Sequence, residues 1–582
     1  MAKAFIPREV FVASSYMAPV GRYNGREREA LSFLEMAEKA GEVFAGSRLR
    51  RADINAVVVG CQNPVAFSGV DNTAAKVAGV LGISGAKSVL IDTASSSGAS
   101  ALEYAYLQIA SGRCDHVLAL GIQKMSDVPT AQATRIVAGV IDRDEAEFGL
   151  TMPACGALVA RALIEKLKLS MEEWTAFSAL LTQRAHRFAA QNPEAHLNFE
   201  IPIEEYYRQI ANGKNYRYWW PLRYHDFCPM SDGVAAVLLS STPHEVMVSG
   251  VGSATDIPTI ADRHYFHSFP ATVRAASEAY AMAGIKDVTD FAGKIHVNMH
   301  DPFNGFGPIN MVDLGFIPRR RMVEGLLNDE LTGLKGSFPT NITGGLKGRG
   351  HPLGATGMIQ IVENHRLIVS GAFQMGLAHS IGGPINNNVV TLLERTSHYR
   401  GRPRPEIASW GLPHLGRMKP KQVNVAELLS GKGEVEGQFV AATTRFDFRT
   451  GAPEGIIIIV SCAAAGGRYS FLFGVGGEHF QEVVRLAPGD RVSLEKDGEV
   501  ILVNRIPVRK FYQRTLNGVL ELAGTGWKKL TGAAAGTGTG NGTGTGNGTG
   551  AATGTGAGSG TGADGGTGEG TGTGTGPGVG PV

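Results

Sequence analysis

Four short stretches hold the side chains able to do chemistry. His300 lies in Asn298-Met299-His300-Asp301-Pro302-Phe303. His351 lies in the glycine-rich run Asn341-Ile342-Thr343-Gly344-Gly345-Leu346-Lys347-Gly348-Arg349-Gly350-His351-Pro352-Leu353-Gly354-Ala355-Thr356-Gly357. His379 opens His379-Ser380-Ile381-Gly382-Gly383-Pro384, and a row of hydroxyls fills Thr93-Ala94-Ser95-Ser96-Ser97-Gly98. An imidazole can take a proton, give one, or donate a hydrogen bond to a developing oxyanion. A lone histidine is more often structural. Three in loops flanked by glycine or proline, two of them at strand exits, point to a site. Small side chains at the Ser95 elbow admit a substrate to backbone N–H groups at the positive end of a helix. The alternative for that elbow is a close-packed turn without chemistry.

The elbow needs a strand before it and a helix after it. Ser88–Ile91 reads as the strand, Ala99–Ser111 as the helix, and His116–Leu120 as a second buried strand. Strands at Glu9–Ala13 and Ile54–Gly60 alternate with helices at Glu29–Gly46 and Thr73–Leu81, the pattern of a mostly parallel sheet with helices on both faces. Residues 121–230 read as an insertion, with a helix at Met171–Ala189 and an aromatic loop, Tyr216-Arg217-Tyr218-Trp219-Trp220-Pro221, that covers a pocket or packs the insertion down. Strands at Asp232–Leu239 and Glu245–Ser253 follow, then a helix at Ala271–Ala283 and the strand Lys294–Asn298 that delivers His300. A helix at Gly354–Ser370 follows His351, and its opening echoes Gly98-Ala99-Ser100-Ala101, a weak sign of two similar halves. Residues 434–515 read as five short strands with a hairpin at Asp497-Gly498, which fits a small OB-like barrel. The expected division is 1–245 and 246–397 for the two α/β halves, 398–430 for a linker, 431–528 for the barrel, and 529–582 for a disordered Gly/Thr-rich tail.

Composition narrows the function classes. The net charge of the 582-residue chain is +2, so nothing electrostatic argues for a nucleic-acid partner. No apolar run is long enough for a membrane span, and the first residues lack an apolar signal core. The five cysteines, Cys61, Cys114, Cys155, Cys228 and Cys462, form no C-x-x-C pair, so neither a metal site nor a disulfide framework is expected. The expected location is the cytoplasm.

Taken together, residues 5–395 resemble the thiolase superfamily, nearest its sterol-carrier-protein-type and archaeal branches. The resemblance rests on Gly350-His351-Pro352-Leu353-Gly354-Ala355-Thr356-Gly357, the His300-Asp301-x-Phe303 loop, the Ser97-Gly98-x-x-Ala101 elbow, and Cys228-Pro229-Met230-Ser231-Asp232-Gly233. It implies an α/β fold of two βαβαβαββ halves in five layers, a homodimer or higher oligomer, and a coenzyme A thioester as substrate with no bound cofactor. It also implies catalytic roles for Ser95, His300, His351 and Ser380, with Gly382, Asn341 and Gly350 at the oxyanion or substrate. The backbone N–H groups of Ser95 and Gly382 match one oxyanion hole, and His300 another. The family's cysteine nucleophile falls at Ser95, and its acid–base cysteine at Ser380 or Pro302, so neither sulfur is present. The segment 434–515 resembles, more weakly, the OB-fold acyl-CoA-associated partner of cysteine-free steroid side-chain aldolases.

A serine hydroxyl is far less acidic than a thiol and needs a positioned base. The expectation is therefore an acyl-CoA enzyme that makes or breaks a carbon–carbon bond beside the thioester by aldol-type chemistry. Two alternatives remain: acyl transfer through Ser95, and a non-catalytic acyl-CoA-binding scaffold. Tyr216, Tyr218 and Tyr224 are the candidate bases.

Overall fold

The computed structural model describes residues 7–147, 149–263, 266–399, 435–464, 467–497 and 500–505. All of these fall within one compact unit. Residues 400–434, which hold most of the expected linker and the first part of the expected barrel, the hairpin tip at Gly498, the last part of the expected barrel (506–528) and the tail lie outside the described residues.

The first half supplies β1 (Phe11–Met17), β2 (Ala56–Gly60), β3 (Lys87–Ile91) and β4 (His116–Gln123). The insertion adds β5 (Arg217–Trp220) and β6 (Leu222–Arg223), and β7 (Gly233–Ser240) returns to the half. Its sheet runs β3-β2-β4-β7-β1, with β2 parallel to β3 and β4, and β7 antiparallel to β4 and β1. The second half supplies β8 (Val246–Thr255), β9 (Ile295–Asn298), β10 (Met375–Gly382) and β11 (Asn387–Arg395), in the order β8-β11-β10-β9. The two sheets meet where β1 pairs with β8 through Phe11↔Met247 and Val12↔Val246.

The second half repeats the first without its outermost strand. Where β3 lies beside β2, only the isolated bridge Val297↔Thr340 lies beside β9. Pro339 precedes that bridge and has no N–H to extend a ladder. The expected five strands per half are thus found in the first half and, among the described residues, not in the second.

Helices fill five layers with the two sheets, as expected. Ser97–Ala110 and Thr356–Val369 pack between the sheets, touching strands of both halves. The first buries Ala99, Ala101, Leu102, Ala105, Tyr106 and Ile109, which is most of its circumference and marks a central helix. Thr73–Val80 covers β2 and β3 on one outer side, and Pro270–Ala283 covers β8 and β11 on the other. The expected helix over Glu29–Gly46 is shorter: a Ser32/Glu35 capping box starts it at Phe33, and it tightens to a 3₁₀ turn from Ala40.

The C-terminal β-domain holds β12 (Val435–Phe446), β13 (Pro453–Ala464), β14 (Gly467–Gly476), β15 (Arg491–Asp497) and β16 (Val500–Arg505), all antiparallel in the order β14-β13-β12-β15-β16. These are the five strands read from the sequence. No ladder joins the end strands β14 and β16 among the described residues, although the two lie near each other. The aromatic stretch expected as a loop is a strand instead, because β5 finds an edge to pair with: Trp219↔Arg445 and Trp220↔Thr444 join it to β12.

Candidate active site

Both imidazoles are placed by backbone holds. Asn341, in the left-handed region at φ 49°, accepts a hydrogen bond from Met299 N at 2.8 Å and donates one to Met299 O at 3.1 Å. Asn310 Nδ2 donates to the His300 carbonyl at 2.6 Å. These bonds fix the loop as it leaves β9. His351 follows Gly350 at φ +114°, where a side chain would strike Ser231 and Val20. The His351 N–H donates to Ser231 Oγ at 3.2 Å, and its Nδ1 meets Thr356 Oγ1 at 2.8 Å. The two rings lie 5.0 Å apart, edge to face at 86°.

Burial and neighbouring cations keep both rings uncharged. His351 is pushed down to about 3 by burial and then by Arg349. His300 falls well below the usual range through burial, His351, His379 and Arg349. In the tautomer in which the Thr356 hydroxyl donates to Nδ1, the neutral His351 ring carries its proton on Nε2 and can donate there. His300 Nδ1 is buried without a hydrogen-bond partner among the described residues. Beneath the pair, fully buried Arg349 meets Glu363 at 2.5 Å, and Glu363 accepts from Asn298 Nδ2 at 2.6 Å. Neutral donors above a buried guanidinium suit an oxygen that gains negative charge.

The elbow comes from the other half. Ala94 stands at φ 57°, an uncommon conformation for alanine, immediately before Ser95. Thr93 N donates to Ser97 Oγ at 3.0 Å, and Ser96 Oγ donates to Thr93 O at 2.8 Å, so the hydroxyls on either side are used to hold the turn. Ser95 itself is half-buried. Ser380 Oγ donates to Ser95 O at 3.4 Å. A methyl group placed on Gly98 would lie 2.7 Å from Gly354 O and 2.9 Å from Met358 N, so the starts of the two central helices touch. One placed on Gly382 would lie 2.0 Å from Thr93 O, which sets the end of β10 against the elbow.

The structure thus brings the start of the helix after Ser95, and Ser380, against Gly354–Gly357 of the run that carries His351, with Gly382 against the elbow and His300 against His351. It does not join Ser95 to a base. Among the described residues no hydrogen bond links Ser95 Oγ to either imidazole.

Other candidates have different duties. His379 meets Thr272 Oγ1 at 3.1 Å on the Pro270–Ala283 helix outside the sheet, and burial holds it at about 3. The Asn341 carboxamide bonds the Met299 backbone and the Asp301 carboxylate, so this residue positions the His300 loop. Tyr216 packs on Tyr224 and Tyr218 at ring distances of 5.6 and 6.4 Å. Burial pushes Tyr216 up to about 12 and raises the other two, which disfavours the anion a tyrosine base needs. Arg349, Glu363, Thr356 and Ser231 were missed from the sequence. Arg349 stands two residues before His351, which was a usable signal. Behind the His300 loop, Asp301 accepts from Leu346 N at 2.8 Å and is raised to about 6 by burial, beside buried Lys347, lowered to about 8. Among the described residues no group of His, Cys, Asp and Glu is placed to hold a metal, and no helix is long and apolar enough to cross a membrane.

Comparison with known proteins agrees with this architecture. Residues 10–214 match the thiolase N-terminal domain and residues 252–395 the thiolase C-terminal-domain-like family. The chain is 32% identical over 387 residues to an acetyl-CoA acetyltransferase of Methanothermobacter thermautotrophicus, covering 63% of this chain and 95% of the relative. It is 26% identical over 288 residues to the benzoylsuccinyl-CoA thiolase subunit BbsB of Thauera aromatica, covering 47% and 69%. A monomeric SCP2-thiolase-like protein of Mycobacterium smegmatis shares the fold over 86% of this chain and all of its own, at TM-score 0.62 and 18% identity. The Ltp2–ChsH2(DUF35) aldolase does so over 68% of this chain and all of its own, at TM-score 0.55 and 20% identity. Two helix starts meeting across similar halves, with His300 and His351 beside them, and family matches over both halves lead to one conclusion: the chain belongs to the thiolase family.

Proposed function

We propose that this protein acts on acyl-CoA thioesters and cleaves or forms the carbon–carbon bond next to the thioester by aldol-type chemistry, without an acyl-enzyme. The observation that carries this reading is the neutral His300–His351 pair beside an elbow whose serine has no base. In the cleavage direction a base takes the proton of the β-hydroxyl and the Cα–Cβ bond breaks. Cβ becomes a carbonyl, and the bonding pair moves to Cα as an enolate. Its charge rests on the thioester oxygen, where the two imidazoles donate, and Cα then takes up a proton. No sulfur nucleophile is needed.

A second reading is acyl transfer through Ser95. It draws support from the position of Ser95 just before the Ser97–Ala110 helix, from Ser380 Oγ beside it, and from the acetyltransferase relatives. One experiment separates the readings. The protein is incubated with a panel of acyl-CoAs and β-hydroxyacyl-CoAs, with intact mass and products recorded. Cleavage with no mass adduct supports the aldol reading. An adduct lost in Ser95→Ala supports acyl transfer, and binding with no turnover reduces the protein to a scaffold.

Self-association is part of the same proposal. Edge strand β3 leaves Leu90 37% exposed, and the adjoining helix leaves Leu107 53% exposed, a surface suited to a second copy of the chain. Light scattering at the monomer mass would remove it.

A further inference from the structure

The β-domain is built into the body of the protein. β5 of the insertion pairs with β12, and Thr443 Oγ1 donates to Trp220 O at 3.1 Å. Arg161, 3% exposed, reaches from the Met152–Leu167 helix to the Leu486 carbonyl at 2.5 Å and the Val484 carbonyl at 3.3 Å, with its guanidinium 4.6 Å from the centre of the Trp220 ring. Ala441, Ile457 and Ile459 of the β-domain share one apolar core with Met299, Phe303 and Phe306, the residues around His300.

Two connections run from this docking surface to the imidazoles. The first is a file of rings: Phe448 to Tyr216 at 5.8 Å, Tyr216 to Tyr218 at 6.4 Å, Tyr218 to Phe227 at 5.7 Å, and Phe227 to Phe303 at 5.5 Å. The second is backbone. After β6 the chain pairs Phe227 with Phe303, and the Cys228 N–H donates to Pro302 O at 2.8 Å. It then bridges Met230 to His351 and offers Ser231 Oγ to the His351 N–H. One run of chain, starting at the strand clasped by the β-domain, therefore holds both histidine loops.

We propose that the β-domain is a working part of the active site: its clasp on β5, relayed through Phe227 and its neighbours, sets the positions of His300 and His351. Phe227 and Tyr218 are positioning residues in this scheme. The proposal rests on the reading that the two imidazoles serve the reaction, but its test needs no substrate.

Amide hydrogen exchange is measured on the full chain, comparing 299–306 and 345–352 with β2 (56–60) as reference. Arg161→Met, which releases the two carbonyls, and Phe227→Leu, which removes the ring, are expected to speed exchange about tenfold at both histidine loops and leave the reference unchanged. Phe227→Tyr keeps a ring and is expected to restore the parent rate. On any acyl-CoA that the parent turns over, Phe227→Leu should lower kcat with KM held. The proposal is overturned if Arg161→Met loosens β5 and β12 while 299–306 exchanges as in the parent. It is also overturned if loosening spreads equally to 56–60, both there and in Phe448→Ala, which trims only a half-exposed ring. An acyl-CoA panel without turnover, with the exchange pattern as expected, would fault the functional reading alone.

Discussion

The two helix starts that meet at the centre of this protein have diverged in what they carry. The first, at Ser95, keeps its shape: the left-handed Ala94, the hydroxyl-braced turn, and Gly98 pressed on the opposite helix. Its reactive atom is an unactivated hydroxyl. The second, at His351, keeps its chemistry: two neutral imidazoles in contact, a threonine on one ring, and a buried ion pair below. An elbow can persist because packing alone demands it, since neither glycine contact leaves room for a side chain. Two buried, uncharged histidines and a desolvated guanidinium are costly, and packing alone does not call for them. The difference is what the proposed aldol reading expects: stabilisation of negative charge without a covalent intermediate.

The most damaging change should lie under the histidine pair. Glu363→Ala leaves Arg349 buried without its carboxylate and frees Asn298, and is expected to cost about 3–5 kcal/mol of stability. Urea unfolding measures it; a loss below about 1 kcal/mol would show that the pair is not needed to hold the site. Next is His351→Ala. On the proposed reading this removes one preorganised oxyanion donor, and kcat is expected to fall by about 10²–10³-fold. A rate within threefold of the parent on a substrate found in the panel would take His351 out of the mechanism.

Acidity separates the two regions further. His351, His379 and His186 are each held at about 3 by burial, against about 6.5 when unfolded. Their folded pKa values are depressed, so between pH 6.5 and 3 the unfolded chain binds protons that the folded chain refuses. Stability is therefore lost as pH falls, with each histidine adding up to about 1.4 kcal/mol per pH unit. Asp301, raised to about 6, works the other way: the folded chain holds its proton between roughly pH 4 and 6, which recovers part of the loss. Urea midpoints at pH 7.5, 6 and 5 should fall in that order.

How much of this was legible in the sequence follows from how local each signal is. His300, His351 and the glycine run announce themselves because residue type and loop context sit within a few positions. The five strands of the β-domain are legible for the same reason, since alternation and hairpin turns are local. What escaped depends on partners far along the chain. The 216–221 stretch looked like a loop because its strand partner, β12, lies more than two hundred residues away. The missing outer strand of the second half depends on Pro339 falling at the one bridge that does form. Arg349 and Glu363 lie 14 residues apart in the chain. Only the turn at His351, followed by a central helix, brings them together. Asn341 looked like a ligand residue, and its φ of 49°, with both amide atoms spent on Met299, could not be read from its neighbours.

The smallest expected effect is also the sharpest test of the comparison. Under the aldol reading Ser95→Ala removes a hydroxyl that no base activates, and the turnover rate should stay within about threefold of the parent, less than a tenfold step or 1.4 kcal/mol. The reverse substitution, Ser95→Cys, restores a thiol just before a helix start, where the dipole favours the thiolate. On the proposed reading this variant should take up an acyl group from acetyl-CoA, visible as an adduct in the intact mass, while the parent takes up none. If the parent is acylated and Ser95→Ala is not, the elbow has kept its chemistry, and the division of labour between the two helix starts is wrong. If neither the parent nor Ser95→Cys is acylated, the elbow has lost access to the thioester as well as its sulfur, and the histidine pair must act on a substrate held away from Ser95.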